Sequence, residues 1–311
     1  MKSAATIKLE GQSGGAALAL DAPLAAREKL AAYIELTKPR ITFLILLIAL
    51  AGFCLGSTRG SFDYAALGHV LIGITLLSSG IAALNQVIES ELDGLMRRTQ
   101  ARPLPSGRLS ESQAFVFGIG LTVIGEIYLS MLVNPLTALL GVLTAIGYVL
   151  VYTPLKTRTT LSTAIGALPG AMPPLLGWAA ARGHLNAEAW ALFAILFLWQ
   201  FPHFLAIAWM YREDYGRAGI RMLPVVAPDG RSTSAQIIGF TVLLLPVSLL
   251  PVALGTSGMI YLWGAVVLGA LFLASGVQMA RARTRQAARR LLLASVIYLP
   301  LLFALLVANK H

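Results

Sequence analysis

Cysteine is almost absent from this chain. With Cys54 alone in 311 residues, no intramolecular disulfide, paired-cysteine metal site or two-thiol haem attachment can form. Cys54 itself reads as a small buried apolar residue. Charge is scarce too: Asp, Glu, Lys and Arg make up 12% of the chain, about half the share of a soluble domain. In their place stand 57% hydrophobic residues and a mean hydropathy of +0.75. Residues 1–36 lack a long apolar core. Ala16–Leu20 is too short for a signal-peptide core and no cleavage pattern follows it. We read 1–36 as a flexible cytoplasmic tail ending in an interfacial helix over Leu24–Glu35, and 37–311 as a single membrane domain.

A bilayer core of about 30 Å needs roughly 20 apolar residues in a helix. Runs of that kind recur at 41–58, 66–92, 113–133, 135–154, 161–180, 188–211, 235–255, 259–280 and 289–308, which predicts an all-α, polytopic membrane protein with nine spans. The net charge of +10 would suggest nucleic acid in a soluble protein, but its distribution excludes that. If the spans alternate, 21 of the 24 Lys and Arg residues fall on one side. Only Arg59, Arg182 and Lys310 fall on the other. The positive-inside rule makes the rich side cytoplasmic, with the N-terminus inside and the C-terminus outside. The basic run Arg281–Arg290 then reads as a topology and headgroup anchor in the lipid bilayer. The expected location is a cell (inner) membrane, or the mitochondrial inner membrane if the source is eukaryotic.

Chemistry concentrates at the cytoplasmic end of the second span. Asn85, Glu89 and Asp93 recur at i, i+4 and i+8, which on a continuous helix keeps them within an arc of about 80° and along about 12 Å. Glu91 points away from that stripe. Carboxylates near a bilayer are costly and mark function. A divalent cation compensates them simply, and Mg²⁺ commonly binds through one or two carboxylates plus substrate phosphates. Arg97, Arg98 and Arg102 follow at once, so the segment suits a magnesium diphosphate. At the same end, Lys156 and Arg158, with Tyr152 just before them, would hold a departing diphosphate. Lys38-Pro-Arg40 could add to that clamp or snorkel to headgroups, and Arg40 is our candidate there. Glu126, toward the outer half of the third span, has no assigned role, and His69 and His184 lie near the outer surface.

The acidic stripe resembles the first motif of UbiA-type intramembrane prenyltransferases, Asn-Asp-x-x-Asp-x-x-x-Asp, with Gln86 and Glu89 in place of the two inner aspartates. The neighbouring text is similar to the haem-farnesylating branch of that family. The carrying blocks are Asp93-Gly-Leu-Met-Arg-Arg-Thr-Gln-Ala-Arg-Pro-Leu-Pro-Ser-Gly-Arg108, Tyr152-Thr-Pro-Leu-Lys156-Thr-Arg158, Gly170-Ala-Met-Pro-Pro-Leu-Leu-Gly-Trp178, and the stretch from Trp199-Gln-Phe-Pro-His203 through Tyr215 to Pro224. The resemblance implies a UbiA-like bundle whose central cavity opens to the cytoplasm. It also implies transfer of the farnesyl group of farnesyl diphosphate to a vinyl group of haem b, giving haem O, with one or two Mg²⁺ ions. Asn85, Glu89 and Asp93 would be metal ligands, and Tyr152 and Lys156 would act on the diphosphate. Haem A synthase or oxidase-assembly proteins are the partners it suggests.

The family's second motif, Asp-x-x-x-Asp, is missing. Tyr211 and Tyr215 stand where its aspartates would, and of Glu213 and Asp214 nearby, Asp214 is our choice as a further metal ligand. His203, after Pro202 and one turn beyond Gln200, is a candidate for haem contact or iron ligation, against structural packing or proton handling. A sister enzyme with an aromatic acceptor, a quinone or chlorophyll precursor, is the rival; the missing second motif argues against it. A phosphatidyl-type transferase would need a fuller acidic signature than Asp93-Gly94. A transporter would show internal repeats or charge along several helices, and neither is visible.

Overall fold

The computed structural model describes residues 26–58, 60 and 62–311. Most of the predicted tail, and Arg59, lie outside these. Among the described residues nine helical stretches are long and apolar enough to cross a membrane, each starting and ending within four residues of a predicted span. The spans are α2 (Pro39–Gly56), α3 (Tyr64–Ile88), α5 (Glu111–Leu132), α6 (Pro135–Ala145) with its continuation to Leu155, α8 with α9 (Ser162–Gly170, Pro173–Arg182), α10 (Ala187–Met210), α13 (Arg231–Ala253), α14 (Met259–Ala282) and α15 (Arg285–Ala308). Four short helices lie outside the spans: α1 (Ala26–Leu36), α4 (Ser90–Leu95), α11 (Arg212–Arg217) and α12 (Leu223–Val226).

Polar residues stop and start these helices as expected. Asp63, Asn134, Asn186 and Thr284 accept from backbone N–H groups in the first turns of α3, α6, α10 and α15, and Ser110 forms a reciprocal capping box with Gln113. The C-terminal end of α2 is closed by cations: Arg182 donates to the Gly56 carbonyl at 2.5 Å and Lys310 to that of Cys54 at 2.8 Å. Such donors satisfy the orphan carbonyls that end a helix. A helix, α1, stands at the end of the expected tail, with Ala32 and Leu36 buried against Ala83, Leu104, Leu109 and Ala114; residues 24 and 25 of the expected helix lie outside the described residues.

Two spans differ from unbroken helices. The fifth is interrupted at Ala171 and Met172, because Pro173 and Pro174 cannot donate to the preceding turn and clash with it. The fourth changes to a π-helix over Ile146–Tyr152 before α7 (Thr153–Leu155). Such wide turns occur often at functional sites.

Helices approach one another closely where glycine allows. A Cβ on Gly177 of α9 would run into the Ala49 carbonyl of α2, and one on Gly52 of α2 into the backbone of Pro174. Small residues at such crossings let backbones pack without a hydrophobic driving force. Gly177→Ala is therefore expected to lower the thermal midpoint in detergent, costing about 1–3 kcal/mol of packing. Gly120→Ala, where a Cβ meets nothing within 4 Å, should leave the midpoint unchanged. Equal midpoints for both variants would refute the close-packing account.

Candidate active site

The helix predicted to run to residue 92 instead breaks at Glu89 (φ −99°, ψ 7°), where α3 gives way to α4. Two tethers pull adjacent residues apart. The Ser90 hydroxyl donates to Glu111 at the head of α5, and Lys156 Nζ donates to Glu89 Oε1, each at 2.5 Å. The backbone ladder still passes through the break, Glu89 N to Asn85 O at 3.0 Å and Asp93 N to Glu89 O at 2.7 Å. Asn85, Glu89 and Asp93 therefore remain on one side and share a wall of a cavity of about 210 Å³ at the basic end of the bundle. Gln86 is turned out of it, donating to the Leu36 carbonyl at 2.9 Å. A carboxylate could not make that bond, which accounts for an amide at this position.

Each member of the wall faces a cation. Lys38 Nζ donates to Asn85 Oδ1 at 2.9 Å, Lys156 pairs with Glu89, and Arg102 pairs with Asp93 Oδ2 at 2.6 Å. Asp93 Oδ1 is buried with no partner among the described residues. The Asn85 amide is oriented from behind, its NH₂ donating to Thr153 Oγ1 at 3.2 Å, so its oxygen faces the cavity. Thr153 spends its own proton on the Tyr148 carbonyl. Lys38 sits in the left-handed region (φ 49°) just before Pro39, a costly conformation for a side-chain-bearing residue. The bond to Asn85 helps hold it there. Burial, then the nearby Arg102 guanidinium, pull the Lys38 ammonium down to about 7.

A second part of the lining comes from the π-helical turn. Tyr148 and Tyr152 both face the cavity with ring centroids 5.1 Å apart, and Lys156 Nζ lies 4.5 Å above the Tyr152 ring. Gly166 leaves room for that ring, since a Cβ there would stand 2.5 Å from it. Arg98 spreads over Tyr211 and Tyr215 at 5.2 and 5.9 Å. Met96, Ala218 and Ile220 are buried together beside the mouth, and Arg221 N bonds to the Lys156 carbonyl at 2.8 Å, linking the loop after α11 to the clamp.

The structure thus brings Asn85, Glu89, Asp93, Arg98, Arg102, Tyr152 and Lys156 together, and adds Lys38, Tyr148 and Tyr215. It places the other candidates elsewhere. Arg97, Tyr211 and Asp214 border a neighbouring pocket of about 380 Å³ with Arg217 and Arg285, and the Asp214 carboxylate is taken by Arg217. Asp214 is thus not part of the acidic wall, because the local i, i+3 pair claims it. Arg40 and Arg158 are exposed and do not border the cavity; Lys38 fills the place expected of Arg40. His203 borders a separate apolar pocket. Tyr148 had one signal in the sequence, standing four residues before Tyr152.

These residues fit Mg²⁺ in one way. Among the described residues no group of three or more His, Cys, Asp or Glu could form a self-contained metal site. Two carboxylates and an amide oxygen, one carboxylate oxygen being buried and unpartnered, suit an ion that arrives with phosphate oxygens of its own. Asn85, Glu89 and Asp93 would hold it.

Residues 45–305 match the UbiA prenyltransferase family. A protein of Solibacter usitatus (strain Ellin6076) named protoheme IX farnesyltransferase is 53% identical over 286 residues, covering 89% of this chain and 98% of the relative. Digeranylgeranylglyceryl phosphate synthase superposes with a TM-score of 0.76 at 19% identity, covering 91% of this chain and 98% of that one. A UbiA homolog from Archaeoglobus fulgidus bound to GPP and Mg²⁺ gives a TM-score of 0.61 at 14% identity, over 88% and 99%. The family match spans most of the bundle and the relative is about half identical over nearly its whole length, so the chain belongs to the UbiA prenyltransferase family.

Proposed function

We propose that the chain transfers the farnesyl group of farnesyl diphosphate to a vinyl group of haem b, releasing diphosphate and leaving haem O. The observation that carries the transfer is the cavity wall of Asn85, Glu89 and Asp93 set among Lys38, Arg102 and Lys156. Such a wall takes a cation and a polyanion together. The acceptor is supported by the name of the Solibacter usitatus relative, and the ion by the Archaeoglobus fulgidus homolog that holds GPP and Mg²⁺.

When bound, Mg²⁺ would neutralise developing charge on the leaving diphosphate. The chain's own cations do the same from the other side. Lys38, Lys156 and Arg102 are within reach of the wall and are free to turn to phosphate oxygens as the carboxylates turn to the ion. Such preorganised charge acts where it develops in the transition state. The faces of Tyr148 and Tyr152 offer electron density to the allylic cation, an interaction that strengthens on desolvation. Phe204 and Ile207 of α10 line the cavity on the apolar side and exclude water from the cation before the vinyl carbon attacks. Water then captures the resulting benzylic-type cation, and loss of a proton leaves the hydroxyethyl-farnesyl substituent. The cavity mouth faces the cytoplasm in the orientation inferred from the basic loops, with the N-terminus inside and the C-terminus outside.

Incubating membranes that contain the protein with haem b and labelled farnesyl diphosphate tests the proposal. Label is expected in the haem fraction. Label in a quinone-like lipid instead, with none in haem, would establish the aromatic-acceptor reading in its place.

A further inference from the structure

His203 stands apart from the acidic wall, and its hydrogen bonding is unusual for a packing residue. Its Nδ1 lies 2.8 Å from Ser295 Oγ on α15, and that hydroxyl lies 2.6 Å from the Leu292 carbonyl. A serine has one hydroxyl proton, and a carbonyl can only accept. The Ser295 proton therefore goes to Leu292, and Ser295 Oγ accepts from His203 Nδ1–H. This fixes the tautomer that leaves Nε2 a bare lone pair. Trp199 stacks on the imidazole at 4.7 Å and donates its indole N–H to the Ser295 carbonyl at 2.9 Å, so the ring cannot easily swing. Nε2 makes no hydrogen bond among the described residues, and the imidazole borders an apolar pocket of about 160 Å³ with Leu44, Ile48, Gly170, Leu196 and Leu299. Locking α10 to α15 needs only the Nδ1 bond. A histidine whose other N–H is fixed by a hydrogen bond is the arrangement of a metal ligand.

A second feature lies on the same face of α10. Met210 is seven residues beyond His203, two turns or about 10 Å nearer the basic end and within about 20° of the same direction. It borders the 380 Å³ pocket of Arg97, Arg98, Arg217 and Arg285, with Glu213 and Asp214. Arg217 is occupied by Asp214 and Arg98 lies over Tyr211, but Arg97 and Arg285 have no carboxylate partner among the described residues. Arg285 begins α15, the helix that also supplies Ser295. An imidazole lone pair in apolar surroundings, with a guanidinium-lined pocket that α10 reaches two turns, about 10 Å, further on at Met210, matches a flat iron complex carrying carboxylates along one edge.

We propose that haem b lies along α10 and α15 with its iron on His203 Nε2 and its propionates on Arg97 and Arg285. The inference rests on haem b as acceptor and adds how it is held. The test uses the full chain in lipid nanodiscs, titrated with haem b in the absence of any prenyl diphosphate. Saturable uptake with an imidazole-ligated absorption spectrum is expected. His203→Ala should lose that spectrum and regain it with added imidazole, and His203→Met should replace it with a thioether-ligated one. Ser295→Ala should keep the spectrum but weaken binding about 10–100-fold, as loss of a group orienting a ligating histidine does. Haem b dimethyl ester should bind the native chain more weakly than haem b, a difference that Arg97→Ala with Arg285→Ala abolishes. An unchanged imidazole spectrum in both His203 variants overturns the iron assignment, and native discrimination against the ester in the arginine variant overturns the propionate assignment. Imidazole-ligated binding without any transfer of labelled farnesyl would leave this site standing and remove the reaction. Normal transfer with an unaltered spectrum in His203→Ala would do the reverse.

Discussion

Asp93→Asn is expected to lower farnesyl transfer at least about a hundredfold, as loss of a preorganised charged group at a reacting centre does, while the chain stays folded in the membrane. Asp93 is 1% exposed, its Oδ2 held by Arg102 at 2.6 Å and its Oδ1 buried and unpartnered among the described residues. Asparagine keeps the shape and can still accept from Arg102, so the substitution removes charge and little else. The unpartnered oxygen is the one open to an ion, so the variant should also need more Mg²⁺ for half-maximal rate. Transfer assayed across a Mg²⁺ titration reads both effects. A variant within a few-fold of the native rate, at the native Mg²⁺ requirement, would remove Asp93 from the metal site.

That wall was legible in the sequence because the i, i+4 and i+8 spacing holds where the i→i+4 backbone bonds continue, as they do through the break at Glu89. The break at Glu89 was not, since it is produced by Glu111 and Lys156, each distant in the chain. The nine spans were readable because a bilayer demands length and apolarity together. The interruption of the fifth span had a signal in Pro173 and Pro174, whereas the π-helical turn that brings Tyr148 and Tyr152 to the cavity had none. Side-chain allegiance was the least visible level. Asp214 stands near the place of the missing second motif, but Arg217 three residues on takes its carboxylate. Lys38 rather than Arg40 reaches the site because a left-handed residue before Pro39 turns the chain there, and no periodicity reports a single backbone angle.

The Lys156–Glu89 pair separates stability from chemistry. Both side chains are largely buried, 13% and 9% exposed, and lie 2.5 Å apart. Lys156→Met leaves the Glu89 carboxylate without its cation, and breaking a buried pair in this way costs about 3–5 kcal/mol. The same change takes a positive group from the departing diphosphate, so transfer should fall by about 10²–10³-fold. Adding Glu89→Gln removes the stranded charge. The double variant Lys156→Met/Glu89→Gln is therefore expected to recover most of the thermal midpoint in detergent, because a neutral pair of similar volume is close to isoenergetic with a buried ion pair. It should recover none of the activity, because neither the ion nor the diphosphate regains its counter-charge. Midpoint and turnover rising together in the double variant would mean that the pair only holds the fold. Midpoint recovering alone would mean that the two charges face each other at rest and are parted by the substrate, Glu89 toward the ion and Lys156 toward the phosphate.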